Sequence, residues 1–177
     1  MNTTLTELLD QLDRYSSRVP LHALAEMLRE FDPEWDDLQP FQQFDAGHYQ
    51  RNLLRGNDVY HALLICWRAG QRSPIHDHRG SNCAFRVLRG TATESKFERT
   101  PRGLVYPTGS HDWHVSDVCA SRDADIHQVS NLHGDDDLVT LHLYSPPLLV
   151  MGQYSLTTAE PTEFLDPVFE FSSGSGI

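Results

Sequence analysis

The sequence predicts a mainly β protein, an antiparallel barrel or sandwich with a short helical section ahead of it. Three observations lead there. Apolar residues recur at helical spacing only near the start of the chain. From about Gly47 onward the texture changes to short runs of apolar, aromatic and β-branched residues, cut by Gly, Pro, Asn and Asp. No long helical pattern alternates with those runs, which argues against a parallel α/β sheet. The 177 residues are the size of one domain with its own core, divided here into helices over 1–45, a β-barrel over 46–160 and a C-terminal extension over 161–177.

Thr4 and Glu7 are spaced as a capping box, and Leu5, Leu8, Leu9 and Leu12 then line one helix face. After Pro20, the residues Leu21, Leu24, Leu28 and Phe31 repeat the period, until "DPEWDDLQP" breaks it at Pro33 and Pro40. "HYQRNLL" opens the first strand, and "YHALLICW", "NCAFRVLRG", "TATESKFE", "DIHQVSN" and "LVTLHLYS" read as later ones. The small polar tail "SSGSGI" is expected to fray. There is no internal repeat and no linker long enough to divide the chain.

A formal charge of −11, from 14 Lys plus Arg against 25 Asp plus Glu, argues against nucleic acid and anionic membrane as partners. The opening residues have neither a basic n-region nor an apolar h-region, and no later run approaches spanning length, so a cytoplasmic protein is expected. Cys66, Cys83 and Cys119 are odd in number and scattered, which favours reduced thiols over a disulfide framework.

The chemistry concentrates in "GQRSPIHDHRGSNCAFRVLRG". His76 and His78 are two apart, so on an extended strand their rings share a face about 7 Å apart and can hold one metal. In a chain with ten histidines such a pair also arises by chance on a solvated face. Gly70 and Gly90 bracket the pair, and a further histidine segment, "HQVSN", follows downstream. Three histidines suit catalytic zinc as well as open iron sites, and spacing alone does not separate the metals. In "TLHLYSPP", Thr140, His142 and Tyr144 share one strand face, where the histidine can hold the phenol; Tyr49 and Arg51 share a face in "HYQRNLL". Arginine is the side chain best suited to a bidentate carboxylate contact.

Gly70, His76, His78 and Gly90, followed by His127 with Asn131, resemble the two motifs of the cupin superfamily, with Cys83 where that superfamily has a glutamate ligand. Together with "YQRN", "ICW", "IHDH" and above all "LHLYSPP", the pattern from Tyr49 to about Met151 is similar to the cysteine dioxygenase family. The resemblance implies a cupin jelly-roll barrel (a double-stranded β-helix) in which His76, His78 and His127 bind Fe(II) and Arg51, assisted by Tyr49, binds the substrate carboxylate. It also implies a thioether crosslink from Cys83 to the ring of Tyr144, whose hydroxyl also meets substrate, with His142 holding that hydroxyl. Thr140 stands for a family serine, Trp67 for a pocket residue, Met151 for a small thiol residue of the animal enzymes, and Ser145-Pro146 for a cis peptide.

The implied reaction is oxidation of L-cysteine by dioxygen to 3-sulfinoalanine (cysteine sulfinic acid), with the thiol supplying all the electrons and no organic cofactor. The chain is expected to act as a monomer. One alternative is a 3-mercaptopropionate dioxygenase, which resembles this pattern but has glutamine in the place of Arg51; Gln50 is adjacent but faces the other way on a strand. Another is a non-enzymatic metal- or ligand-binding cupin. A zinc hydrolase would need a general base beside the metal, and Asp77 points away from the histidine face.

Overall fold

In the computed structural model, residues 3–121, 125–134, 136–165, 167 and 168 are described; the "SSGSGI" tail lies outside them. The leading helices form as the leucine spacing predicts. α1 (Leu5–Leu12) is capped reciprocally by Thr4 and Glu7, with Thr4 N–H donating to the Glu7 carboxylate at 2.9 Å. α2 (Leu21–Glu30) buries Leu24, Met27 and Leu28. Its C-terminal carbonyls are satisfied from the barrel: the Arg86 guanidinium donates to Leu28 O at 2.8 Å and also to Phe31 O. Between the prolines that end the helical period sits one further turn, α3 (Trp35–Leu38), followed by a 3-10 turn.

Among the described residues, eleven antiparallel strands make two sheets. The first has the order β1-β2-β9-β4-β7, comprising β1 (Gln50–Gly56), β2 (His61–Trp67), β9 (Leu138–Ser145), β4 (Asn82–Arg89) and β7 (Val118–Ser121). The second has the order β11-β10-β3-β8-β5-β6, comprising β11 (Thr162–Leu165), β10 (Val150–Tyr154), β3 (Ile75–His76), β8 (Ile126–Ser130), β5 (Ala92–Arg99) and β6 (Val105–Trp113). This is the jelly-roll architecture expected. β11 pairs with β10, so the second sheet reaches past residue 160 into the stretch assigned to an extension.

The first sheet is covered on both faces, which explains why β2 and β9 read as almost unbroken apolar runs. Val139, Leu141 and Leu143 of β9 pack outward against Leu8, Leu12, Leu24 and Leu28, whereas Leu138 and Tyr144 belong to the interior cluster with Trp67 and Phe85. The alternation along β9 therefore separates an outer layer that docks the helices from an inner layer that faces the barrel. The turn between α1 and α2 is pinned to the rim of this sheet. Val19 N–H donates to Ser145 Oγ at 2.8 Å, and the Asn82 amide donates to Val19 O at 2.9 Å. Asn82 and Ser145 are themselves cross-strand partners.

The two motif glycines have different duties. Gly90 turns the chain from β4 to β5 at φ +78°, where a Cβ would lie 2.9 Å from Asp137 O, so both conformation and space require glycine. Gly70 needs only its positive φ of +81°. Its N–H donates to Asn131 O at 2.8 Å, and the Asn131 amide donates to Trp67 O at 3.2 Å and Asp136 O at 2.8 Å. Asn131 thus staples loops and leaves ligation to histidine. No helix among the described residues is long and apolar enough to cross a membrane.

Candidate metal centre and substrate cleft

Three histidines meet inside the barrel. His76 on β3 is the cross-strand partner of His127 on β8, and His78 follows two residues on. One ring nitrogen of each lies within 4.8 Å of the others, and all three residues are buried. The strand argument for His76 and His78 needs correction, since β3 ends at His76. A loop sets His78 instead: Asp77 N–H donates to Gly152 O at 3.1 Å, Asp77 accepts from Gly152 N–H at 2.9 Å and from the Tyr154 hydroxyl at 2.7 Å, and Ser81 N–H turns back onto His78 O at 2.9 Å. Asp77 points away from the histidines, as expected.

Hydrogen bonds fix the tautomers of two rings. His76 Nδ1 is 3.0 Å from Pro74 O, an atom that only accepts, so Nδ1 carries the proton and Nε2 keeps its lone pair. His127 Nδ1 is 2.7 Å from a carboxylate oxygen of Glu94, with the same consequence. Burial, reinforced by the neighbouring His127 and His78 rings, pushes His76 well below the ordinary histidine range, which keeps it neutral. Neutral imidazoles with exposed lone pairs are what a borderline divalent metal takes, so the donor set fits the ion it is expected to hold.

Beside the histidines lies a cleft of about 350 Å³, counting the open solvent at its mouth. Tyr49, Arg51, Trp67, Cys83, His142, Tyr144 and Met151 line it together with His76 and His127, so the residues singled out from distant parts of the sequence converge. Among the described residues no carboxylate lines this wall, and Arg51 is its permanent cation. Arg51 is buried, donates to Leu148 O at 3.0 Å and lies over the Tyr144 ring, 5.7 Å from its centroid. Tyr49 stacks on Trp67 with centroids 4.4 Å apart. Gln50 is not among the lining residues.

Register brings Cys83 to Tyr144: the two are directly opposed on β4 and β9. Burial pushes the thiol of Cys83 and the phenol of Tyr144 well above their ordinary ranges, so both are protonated at neutral pH. The Tyr144 hydroxyl is 3.0 Å from His142 Nδ1, His142 Nε2 is 2.9 Å from Thr140 Oγ1, and that hydroxyl accepts from the Trp67 indole at 3.0 Å. Burial first, and then the Arg51 charge, hold His142 neutral. Its cross-strand partner Phe85 stacks on it at 5.0 Å. Sequence reading missed Phe85 and, more consequentially, Glu94. In "TATESKFE" the signal was present only as an acidic residue in phase with Ala92 on an inward strand face.

Residues 2–157 match the family described as cysteine dioxygenase type I. The chain belongs to that family. Cysteine dioxygenase type 1 of Danio rerio is 30% identical over 151 residues, which cover 81% of this chain and 75% of the relative. The Bos taurus enzyme of the same name is 30% identical over 163 residues, 89% of this chain and 78% of the relative. The fold is shared more widely, with a Klebsiella pneumoniae protein containing a double-stranded β-helix domain (TM-score 0.53, 12% identity, 72% of this chain and 87% of that one). It is also shared with the protein TT1209 from Thermus thermophilus (TM-score 0.52, 15% identity, 62% and 93%). In this cysteine dioxygenase type I family member, the three converging histidines make a site that fits a single metal ion.

Proposed function

We propose that this chain oxidises L-cysteine with dioxygen to cysteine sulfinic acid at a single ferrous ion held by His76, His78 and His127. The observation that carries the reading is the pairing of a three-histidine cluster with Arg51 in a cleft that no described carboxylate lines. Its relatives' names supply the substrate. Ferrous iron, when bound, supplies a redox-active centre that lowers the thiol's pKa and brings it together with dioxygen. The overall reaction balances without a further reductant: both oxygen atoms enter the sulfinate and the sulfur gives up four electrons.

The chain's own residues do the positioning. The Arg51 guanidinium clamps the carboxylate, and Tyr49, held flat against Trp67, closes that end of the cleft. The Tyr144 phenol, oriented by His142, donates toward the substrate. Cys83 and Tyr144 form a thioether, in which one C–S bond replaces an S–H and a ring C–H; the two electrons and two protons lost pass to dioxygen, the oxidant of the main reaction. The bond removes a thiol that otherwise competes for iron. We further place the protein in the cytoplasm as a monomer, in keeping with its three free, buried cysteines.

An oxygen electrode fed cysteine, 3-mercaptopropionate or cysteamine tests the reading on iron-loaded protein. Cysteine is expected to be consumed fastest, with cysteine sulfinate as product. Zinc-loaded protein that works equally well overturns the redox chemistry, and a clear preference for 3-mercaptopropionate overturns the substrate. An iron-loaded chain that consumes no oxygen with any of the three returns the reading to a non-enzymatic metal-binding cupin.

A further inference from the structure

A buried carboxylate lies just behind the metal centre. Glu94 is 1% exposed on β5, the strand between β8 and β6. It is diagonal to His127 on one side and to Trp113 on the other, because β5 pairs Glu94 with Val129 and Ala92 with Trp113. Its two oxygens are divided between them. Oε1 accepts from His127 Nδ1 at 2.7 Å, and Oε2 accepts from the Trp113 indole at 3.1 Å, with the Cys119 thiol 3.8 Å away.

Both close partners bring donors, so the position calls for a group that accepts at two atoms. Glutamine meets only one of these donors, because its amide nitrogen would face the other donor. An apolar residue is cheaper to bury than a carboxylate and leaves the indole and imidazole N–H groups without acceptors. A negative charge is retained here at a cost, on the far nitrogen of a ring whose near nitrogen faces the metal position. The three ligands are neutral, and the carboxylate that other cupins place among their ligands is missing from this set.

We propose that Glu94 is a positioning residue that locks His127 in its metal-binding tautomer and supplies, through that ring, the negative charge that the ligand set lacks. The inference rests on the metal centre proposed above. It deepens that reading by giving the absent ligand carboxylate a counterpart one residue removed from the metal, where it strengthens binding while leaving a coordination position for the substrate.

Cobalt(II) is a suitable probe, because its visible bands report its ligands independently of turnover. Titrated into the metal-free chain, it is expected to bind Glu94→Ala about 10- to 100-fold more weakly than wild type, and Trp113→Phe within about threefold of wild type. Glu94→Gln/Trp113→Phe removes the charge together with the indole that would clash with the glutamine amide, and it guards against a Glu94→Ala chain that fails to fold. This double variant is expected to lose affinity and to shift the cobalt bands. Wild-type affinity and bands in the double variant overturn the charge assigned to Glu94; wild-type affinity in Glu94→Ala overturns its role altogether, as does Trp113→Phe weakening binding as much as Glu94→Ala. Wild-type protein that takes up no cobalt overturns the metal centre itself.

Discussion

Arg51 is the residue on which substrate choice turns. No described carboxylate shares the cleft wall with it, so its charge is what the cleft offers to an anionic ligand end. Arg51→Gln is expected to lower kcat/KM for cysteine by about 10- to 100-fold, the worth of a charge-assisted hydrogen bond. It is expected to lower turnover of cysteamine, which has no carboxylate, far less, and an unchanged ratio between the two thiols, measured by oxygen uptake, would sink the clamp. Cys83 permits a second test that needs no kinetics. After turnover, a fraction of the intact protein is expected about 2 Da lighter, one hydrogen from each partner; the same deficit in Cys83→Ser would move the crosslink elsewhere. Residue by residue, the site was legible where chemistry is carried by rare side chains at fixed spacing, as with His76, His78, His127 and the "LHLYSPP" triplet. Glu94 was not legible, because one glutamate among the acidic residues of a chain with 25 of them acquires meaning only when β5 places it diagonal to His127.

At the scale of elements, β9 shows how one strand serves two purposes. Its odd-numbered positions, such as Leu141, hold the helical layer, and its even-numbered positions, Thr140, His142 and Tyr144, build the hydrogen-bonded chain of the site. Leu141→Ala is expected to cost about 2–5 kcal/mol in urea unfolding, the range for a leucine truncated in a packed core, with turnover per folded molecule unchanged. Thr140→Val, nearly equal in volume, leaves the Trp67 indole without its acceptor and His142 without its anchor, and is expected to lower turnover more than stability. If Leu141→Ala impairs turnover as deeply as Thr140→Val does, the division between faces is wrong. β9 could be read from the sequence because its apolar run has the length of a strand. β6 could not, since Pro107 and Gly109 interrupt it and most of its residues are exposed. It tolerates both as an edge strand that slips one residue against β5 between Lys96 and Phe97. β3, only two residues long, carries no periodicity at all and is defined by its neighbours.

For the whole molecule, buried ionisable groups confine stability to a window of pH. His76 and His142 are held neutral inside the fold, chiefly by burial, whereas in the unfolded chain they titrate near the ordinary value of about 6.5. As pH falls below that value the unfolded chain takes up protons that the folded rings refuse, so the metal-free protein loses stability toward acid. The cysteines act in the opposite sense. Burial raises Cys66 and Cys119 to about 12 and Cys83 well above its ordinary value, while unfolded thiols ionise near about 8.5. Above that pH the folded state holds protons that the unfolded state releases, and stability falls again, by at most about 1.4 kcal/mol per pH unit for each thiol. Urea midpoints of reduced, metal-free protein are therefore expected to peak between about pH 7 and 8.5 and to decline on both sides. A midpoint still rising from pH 7.5 to pH 9.5 would show that the thiols ionise in the fold. Bound metal should raise the peak and steepen the acid limb, because it too requires His76, His78 and His127 unprotonated and is released as they gain protons.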